Sequence, residues 1–285
     1  MGVRTLLALA VTLVFWASAF AGIRAGLEAY TPGSLALLRF LVASAVMVGY
    51  ATATRMPLPA LKDVPLLFLV GCLGVSIYHT ALNYGEVTVS AGAASLFIAS
   101  GPVFTALLAT TFLGERLRSW GWIGIGVSFS GVALVAMGEG GGFGFDPRAL
   151  LVLLSAVSAS FYFVAQKPLL AKYGPLPVAA YAIWGGTATL LVFSRGFVGT
   201  VVEAPLDATL AVVYLGVFPG AVAYVTWTYA LSRAPASVVA SFLNVLPVLA
   251  IFIAWVWRSE VPHLFSLAGG VLALAGVMLV NARGR

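Results

Sequence analysis

The sequence predicts an all-α membrane protein of ten transmembrane helices, arranged as two inverted five-helix repeats around a central cavity. An apolar composition, an internal self-match and an alternation of loop charge carry this expectation. Sixty-one per cent of the residues are hydrophobic, eight per cent are charged, and the mean hydropathy is +1.06. A soluble domain carries about 25% charged residues, so this chain lacks the charge to cover a water-facing surface. Its one cysteine, Cys72, excludes a disulfide framework or a thiolate metal cluster. In a soluble protein the net charge of +6 would point to nucleic acid; here it reflects orientation in a bilayer.

The self-match is the organising feature. Shifted by 145 positions, Gly71–Val135 falls on Gly216–Val280 without a gap, with thirteen of 65 positions identical. Rarer residues make the case: Pro102-Val103 meets Pro247-Val248, Tyr84 meets Tyr229, Phe97 meets Phe242, and Glu115 meets Glu260. Gly124 and Gly131 meet Gly269 and Gly276. Upstream the offset changes by two, and Phe20, Arg24 and Pro32 fall on Phe163, Lys167 and Pro175. A self-match of this kind means a duplicated unit. The expected division is a first repeat at 1–137, a periplasmic linker at 138–148 and a second repeat at 149–285.

A crossing needs about 20 apolar residues. In chain order the first copy supplies Thr5–Ile23, Gly33–Ala53, Pro65–Gly85, Ala91–Leu113 and Ser119–Met137. The first of these has the layout of a secretory signal, with Arg4, an apolar run and small residues around Ala17-Ser18-Ala19. Its counterpart in the second half, near Leu150–Lys167, makes it an expected retained span. After the glycine-rich stretch Gly138–Gly144 come Ala149–Pro168, Leu176–Ser194, Ala208–Leu231, Ala236–Trp257 and His263–Asn281.

Loop charge then orients the chain. Ten basic residues (Arg4, Arg55, Lys62, Arg116, Arg118, Lys167, Lys172, Arg233, Arg283, Arg285) fall on the side of the termini, and four (Arg24, Arg148, Arg195, Arg258) on the other. Arg39 lies within the second span. The excess places both termini in the cytoplasm. Five crossings per copy is an odd number, so the second copy enters from the opposite face. Inverted repeats of this kind build secondary transporters with a substrate site near the midplane. Each half can adopt the shape its partner holds, and the exchange moves the opening across the membrane.

The segment Pro102-Val-Phe-Thr-Ala-Leu-Leu-Ala-Thr-Thr-Phe-Leu-Gly-Glu-Arg-Leu117 and Gly126–Val135 resemble the EamA repeat of the drug/metabolite transporter superfamily. So do Trp16-Ala-Ser-Ala-Phe20, Arg39-Phe40 and Pro247–Glu260. The resemblance implies ten spans and export of small metabolites across the bacterial inner membrane. The abundance of aromatics with His79 is similar to the YddG-type exporters of aromatic and other amino acids. In the second copy Arg258-Ser-Glu-Val stands where the first has Leu-Gly-Glu-Arg, which separates the role of Glu260 from that of Glu115.

Within the spans few residues offer chemistry. Pro102 and Pro247 lie at mid-depth, where a proline removes a helical hydrogen bond; they are the candidate hinges, or else packing kinks. Ala91, Ser95 and Ala99, with Ala236 and Ala240, are spaced for close helix packing. Arg39 either snorkels to the interface or a structural bond, or contacts an anionic substrate group. His79 is either a satisfied core histidine or a binding or gating group. Its match in the second copy is Tyr224, expected to face the same cavity. Trp16, Ser18, Tyr78, Asn83, Tyr162, Trp227 and Asn244 complete the candidate substrate-binding set. An aromatic pocket with a few donors suits a small zwitterion with an apolar side chain, or a drug-like compound.

No carboxylate lies well inside any span, and there is no Walker motif. Facilitated diffusion is therefore expected, or weak proton coupling through His79, with no cofactor and no metal. The expected partners are a small-molecule substrate, such as an amino acid, and the lipid bilayer, not nucleic acid. A monomer is the expected state, with oligomers left open. A multidrug or other-metabolite exporter of the same fold is the nearest alternative. An intramembrane enzyme would need a serine opposite one of two histidines, and a scaffold has no use for paired mid-span prolines.

Overall fold

The computed structural model describes residues 2–112, 118–139, 146–234 and 236–283. Residues 113–117, which include Glu115 and Arg116, and most of the glycine-rich stretch lie outside them. Among the described residues the ordered segments are helical. In chain order they are α1 (Val3–Gly26), α2 (Pro32–Thr54), α3 (Val64–Gly71), α4 (Tyr78–Gly85), α5 (Ala91–Ile98), α6 (Gly101–Phe112), α7 (Ser119–Glu139) and α8 (Ala149–Ala165). Then follow α9 (Lys167–Tyr173), α10 (Pro175–Leu190), α11 (Phe197–Glu203), α12 (Leu206–Leu215), α13 (Ala223–Arg233), α14 (Ala236–Ser241), α15 (Leu246–Arg258) and α16 (Leu264–Arg283).

Local chemistry starts these helices where the loops are shortest. The Thr31 hydroxyl accepts from the Ser34 amide at 3.2 Å, and Pro32 supplies the first turn of α2, whose missing N–H would have no partner there. Ser90 caps α5 in the same way, accepting from the Ala93 amide at 3.3 Å. Among the described residues seven helices are long and apolar enough to cross a membrane, and an eighth counts if α8 and α9 form one span bent by 42° at Gln166. The bend falls just ahead of Pro168, so this span continues past the boundary expected from the sequence, as far as Tyr173. Two shorter apolar stretches, Ser119–Val135 and Leu264–Leu279, lie within α7 and α16.

The prolines act differently from the expected kinks. Neither Pro102 nor Pro247 sits inside a continuous α-helix. The chain leaves the helix at Ala99-Ser100 and restarts at Gly101, and in the second half a 3-10 turn, Phe242–Val245, precedes α15. Each proline therefore occupies the first turn of a new helix, where its absent N–H costs nothing.

Two π-helical turns interrupt the apolar spans, Cys72–Ile77 between α3 and α4, and Gly216–Val222 between α12 and α13. They occupy matched positions. Pro219 accounts for the second, since a residue without an N–H cannot bond to the carbonyl four positions back and the helix widens around it. Its match is Gly74, where a Cβ would stand 2.5 Å from the Tyr162 ring.

Packing interlocks the matched halves. Helix α1 lies against α12, α13 and α15, while α8 lies against α4, α5 and α6. The most extensive contact joins α7 to α16. A Cβ on Gly131 would meet Gly269 O and Ala273 N, and one on Gly276 would meet Gly124 O and Ser128 N. The two helices therefore run antiparallel, backbone against backbone, as small residues permit in a membrane.

Candidate substrate site

The first π-turn, α1, α2, α4, α8, α13 and the break before α15 surround a cavity. Trp16, Phe20, Arg39, Tyr78, His79, Tyr162, Phe163 and Tyr224 line it, with Gly101 and Leu246 from the two restarted helices. About 40 Å³ is open to the centres of water molecules, room for a few waters. An amino acid needs the walls to part.

Helix spacing explains how these side chains converge. Tyr78 and His79 follow the first π-turn directly, and Tyr224 follows the second by one residue. The two matched residues touch: His79 Nε2 and Tyr224 Oη are 3.0 Å apart. The Tyr224 hydroxyl also donates to Gly74 O in the first π-turn. A phenol has a single proton, so with Tyr224 donating to a carbonyl, His79 Nε2 is left to donate to the phenol oxygen. His79 Nδ1 then carries the bare lone pair, is buried, and has no hydrogen bond. It is an acceptor awaiting a donor.

Arg39 is its complement. The side chain is 1% exposed, and neither Nε nor Nη1 has a hydrogen-bond partner. It does not snorkel; its guanidinium carbon lies 5.4 Å from the centre of the Phe40 ring. The aromatics form a continuous wall: Trp16 packs on Tyr224 at 5.9 Å and on Trp227 at 4.9 Å, and Trp227 on Phe163 at 4.9 Å. Trp16 Nε1 donates to Pro219 O at 3.3 Å. Gly74 O and Pro219 O are matched positions in the two π-turns, and each accepts from an aromatic side chain in the cavity wall.

Six of the expected residues thus meet at the cavity: Trp16, Arg39, Tyr78, His79, Tyr162 and Tyr224. Four do not line it. Ser18 is bonded to Tyr214 at 2.6 Å, Asn83 donates to Pro32 O at 3.0 Å, and Trp227 stands behind Trp16. Asn244 lies in the 3-10 turn before α15, its Oδ1 buried without a hydrogen bond. Pro102 and Pro247 sit beside the lining residues Gly101 and Leu246.

Two basic side chains close the ends of the bundle at matched positions. Arg24 bonds Glu260 at 3.1 Å and donates to Glu86 O at 2.7 Å and Val87 O at 3.2 Å. At the other end Lys167 donates to Leu231 O and Ala234 O, both at 2.7 Å. Glu86 O and Leu231 O are themselves matched positions, so each base ties down the end of the helix that carries His79 or Tyr224. Glu86 was expected at a span end; the structure finds it fully enclosed, with neither carboxylate oxygen hydrogen-bonded.

Tyr224→Phe removes one donor and leaves Gly74 O unmet. A loss of about 1–3 kcal/mol of stability is expected, read by thermal unfolding in detergent. An unchanged melting temperature would mean that the carbonyl is satisfied some other way.

The EamA-like transporter family model matches residues 3–137 and again residues 147–282. The chain belongs to the EamA-like transporter family. Among its relatives is the uncharacterized transporter YdfC of Bacillus subtilis, 44% identical over 276 residues, covering 96% of this chain and 90% of YdfC. Another is the probable terminal-alkyne amino-acid exporter of Streptantibioticus cattleyicolor, 44% identical over 277 residues, covering 97% of this chain and 93% of the exporter. A solved crystal structure shares the fold, with a TM-score of 0.68 and 23% identity across 98% of both chains. This EamA transporter is accordingly a multi-pass membrane protein that acts on small molecules.

Proposed function

We propose that the protein exports amino acids with apolar or aromatic side chains across the inner membrane by alternating access. The observation that carries this is the pairing of Arg39 with His79 Nδ1 in one apolar cavity. The first offers buried, unanswered N–H donors to a carboxylate, and the second offers a lone pair to an ammonium group. The aromatic wall takes the side chain. A relative named as a probable amino-acid exporter, 44% identical along nearly the whole chain, supports the same substrate class.

The carrier works as two inverted five-helix repeats, 1–137 and 149–285, joined by the linker 138–148. The double match of the family model supports the division. The antiparallel contact of α7 with its match α16 supports the inversion. Ten crossings follow if the seven long helices are joined by the bent α8–α9 pair, α7 and α16. The loop charges put both termini in the cytoplasm and the Arg24 end at the periplasm. The contracted cavity, with bases tied across both ends, is an occluded stage of the cycle. Transport is facilitative or weakly coupled to protons.

The test is uptake into liposomes of labelled phenylalanine, tryptophan, threonine and propargylglycine, a terminal-alkyne amino acid. Saturable uptake without an ion gradient, stimulated at most a few-fold by an imposed pH gradient, is the expected result. Failure of every amino acid, with uptake of a cationic dye or drug instead, would overturn the substrate class and favour multidrug export.

A further inference from the structure

A second pocket, of about 520 Å³, opens where α1 begins and α13 ends. Gly2, Val3, Arg4 and Thr5 line it from one side, Tyr229 and Arg233 from the other. It shares no lining residue with the substrate cavity.

The charge in this pocket has one sign. Arg4 and Arg233 are exposed, and no acidic residue lines the pocket. The ion pairs among the described residues are Arg24–Glu260, Lys172–Asp63 and Arg258–Glu28, so neither arginine is spoken for. Nor does the end of α13 need Arg233 as a cap, because Lys167 already answers the Leu231 and Ala234 carbonyls. Its guanidinium carbon instead lies 5.4 Å from the centre of the Tyr229 ring, a cation–π contact that holds the charge at the pocket wall.

From the facing side the start of α1 adds to the positive field. Gly2 caps the helix without a side-chain hydrogen bond, so the first backbone N–H groups are open to an outside acceptor. Thr5, 5% exposed, lines the same pocket and has no hydrogen bond to another described residue. Two guanidinium groups, a helix start and a hydroxyl are the chemistry that receives a phosphate.

The surface that adjoins the pocket tells a lipid phosphate from a free one. Val3, Leu6 and Leu7 are all exposed, and their spacing puts them on one face of α1. On a membrane helix such a face meets acyl chains. Tyr229, half-buried, has the ring and polar tip of a residue at the headgroup level. Basic wall and apolar face meet at Val3, as headgroup and chains meet in a phospholipid.

We propose that this pocket binds an anionic phospholipid in the leaflet on the side of the termini. Arg4 and Arg233 take the phosphate, and the chains run along Val3, Leu6 and Leu7. The site is independent of the amino-acid reading. A lipid held there joins the start of α1 to the end of α13, the helices that bring Trp16 and Tyr224 to the cavity wall. Thr12 and Thr226, 2.6 Å apart, already join the same two helices further in.

The test is thermal unfolding of the delipidated full-length transporter in detergent. It is titrated at low salt with phosphatidylglycerol, with phosphatidylcholine of the same chains, and with inorganic phosphate. Phosphatidylglycerol alone is expected to raise the melting temperature, with a concentration dependence that gives its affinity. A basic side chain near a membrane surface adds about 1 kcal/mol to binding of anionic lipid. Arg4→Gln with Arg233→Gln is therefore expected to weaken phosphatidylglycerol about thirtyfold. Lys62→Gln, exposed on the same side but outside the pocket, is expected to leave it unchanged. The melting temperature without lipid should be the same in all variants, since the three side chains are exposed. An equal response to phosphatidylcholine would overturn the anionic site. An equal response to inorganic phosphate would overturn the lipid. A phosphatidylglycerol response that survives in the double variant would place the lipid elsewhere and overturn the assignment to this pocket.

Discussion

Replacing Arg39 by methionine is expected to lower amino-acid transport about a hundredfold while raising the thermal stability of the protein. The two effects have one cause. Arg39 is enclosed and lacks hydrogen bonds at Nε and Nη1, so in the empty protein it is a stranded cation. A charged side chain at the centre of a membrane helix costs about 2.5–3.5 kcal/mol on insertion scales. Methionine fills much of the same volume without that cost, and a gain of about 1 kcal/mol or more in stability follows. Two charge-assisted hydrogen bonds to a carboxylate are together worth about 3 kcal/mol at the low end of their range. Each 1.4 kcal/mol is about tenfold, hence the hundredfold loss. Liposome uptake and a melting curve on the same preparation measure both. A variant that melts earlier and transports normally would make Arg39 a structural residue.

Gly131→Ala is expected to destabilise the fold by about 2–3 kcal/mol, a large effect for one methyl group. The added carbon would stand 2.3 Å from Ala273 N and 2.5 Å from Gly269 O. Both are backbone atoms of α16, so no rotamer change relieves the clash and the helices must separate. Gly276→Ala is expected to behave alike, because the same contact recurs at the matched position. Gly126→Ala is the control: nothing lies within 4 Å of its Cβ, and the better helix former should leave stability equal or slightly higher. Equal melting temperatures for all three would show that the α7–α16 contact carries little of the stability.

The helical class, the family and the placing of His79 and Tyr224 on one cavity were legible in the sequence, since composition and a fixed offset carry that information; the bond between the two was not. The offset also paired Arg24 with Lys167, which turned out to hold corresponding carbonyls at opposite ends. What spacing reports is depth along a span, not rotation about its axis. Ser18 and Asn83 are engaged by Tyr214 and Pro32 O, Trp227 stands behind Trp16, and Asn244 is not among the residues that line the cavity. Glu86 escaped for the converse reason. Its position past the end of a span reads as solvent, whereas the Arg24 and Glu260 ends of two other helices fold over it. The π-turns left one trace, Pro219 within an apolar run; the turn at Cys72–Ile77 contains no proline and left none.

Those two turns also carry a date. A π-turn amounts to one residue more than an α-helix of the same course would hold, and such insertions disrupt a helix until its neighbours accommodate them. Two independent insertions would have had to land at corresponding places; the aromatic side chains that answer the two turns, Tyr224 for Gly74 O and Trp16 for Pro219 O, are not themselves a matched pair. One insertion in a single ancestral gene, copied when that gene doubled, accounts for both. If the chain arose by that doubling, the widened turn is older than the fused chain, and a half-length ancestor would already have bent its helix beside the place where the modern protein gathers its cavity.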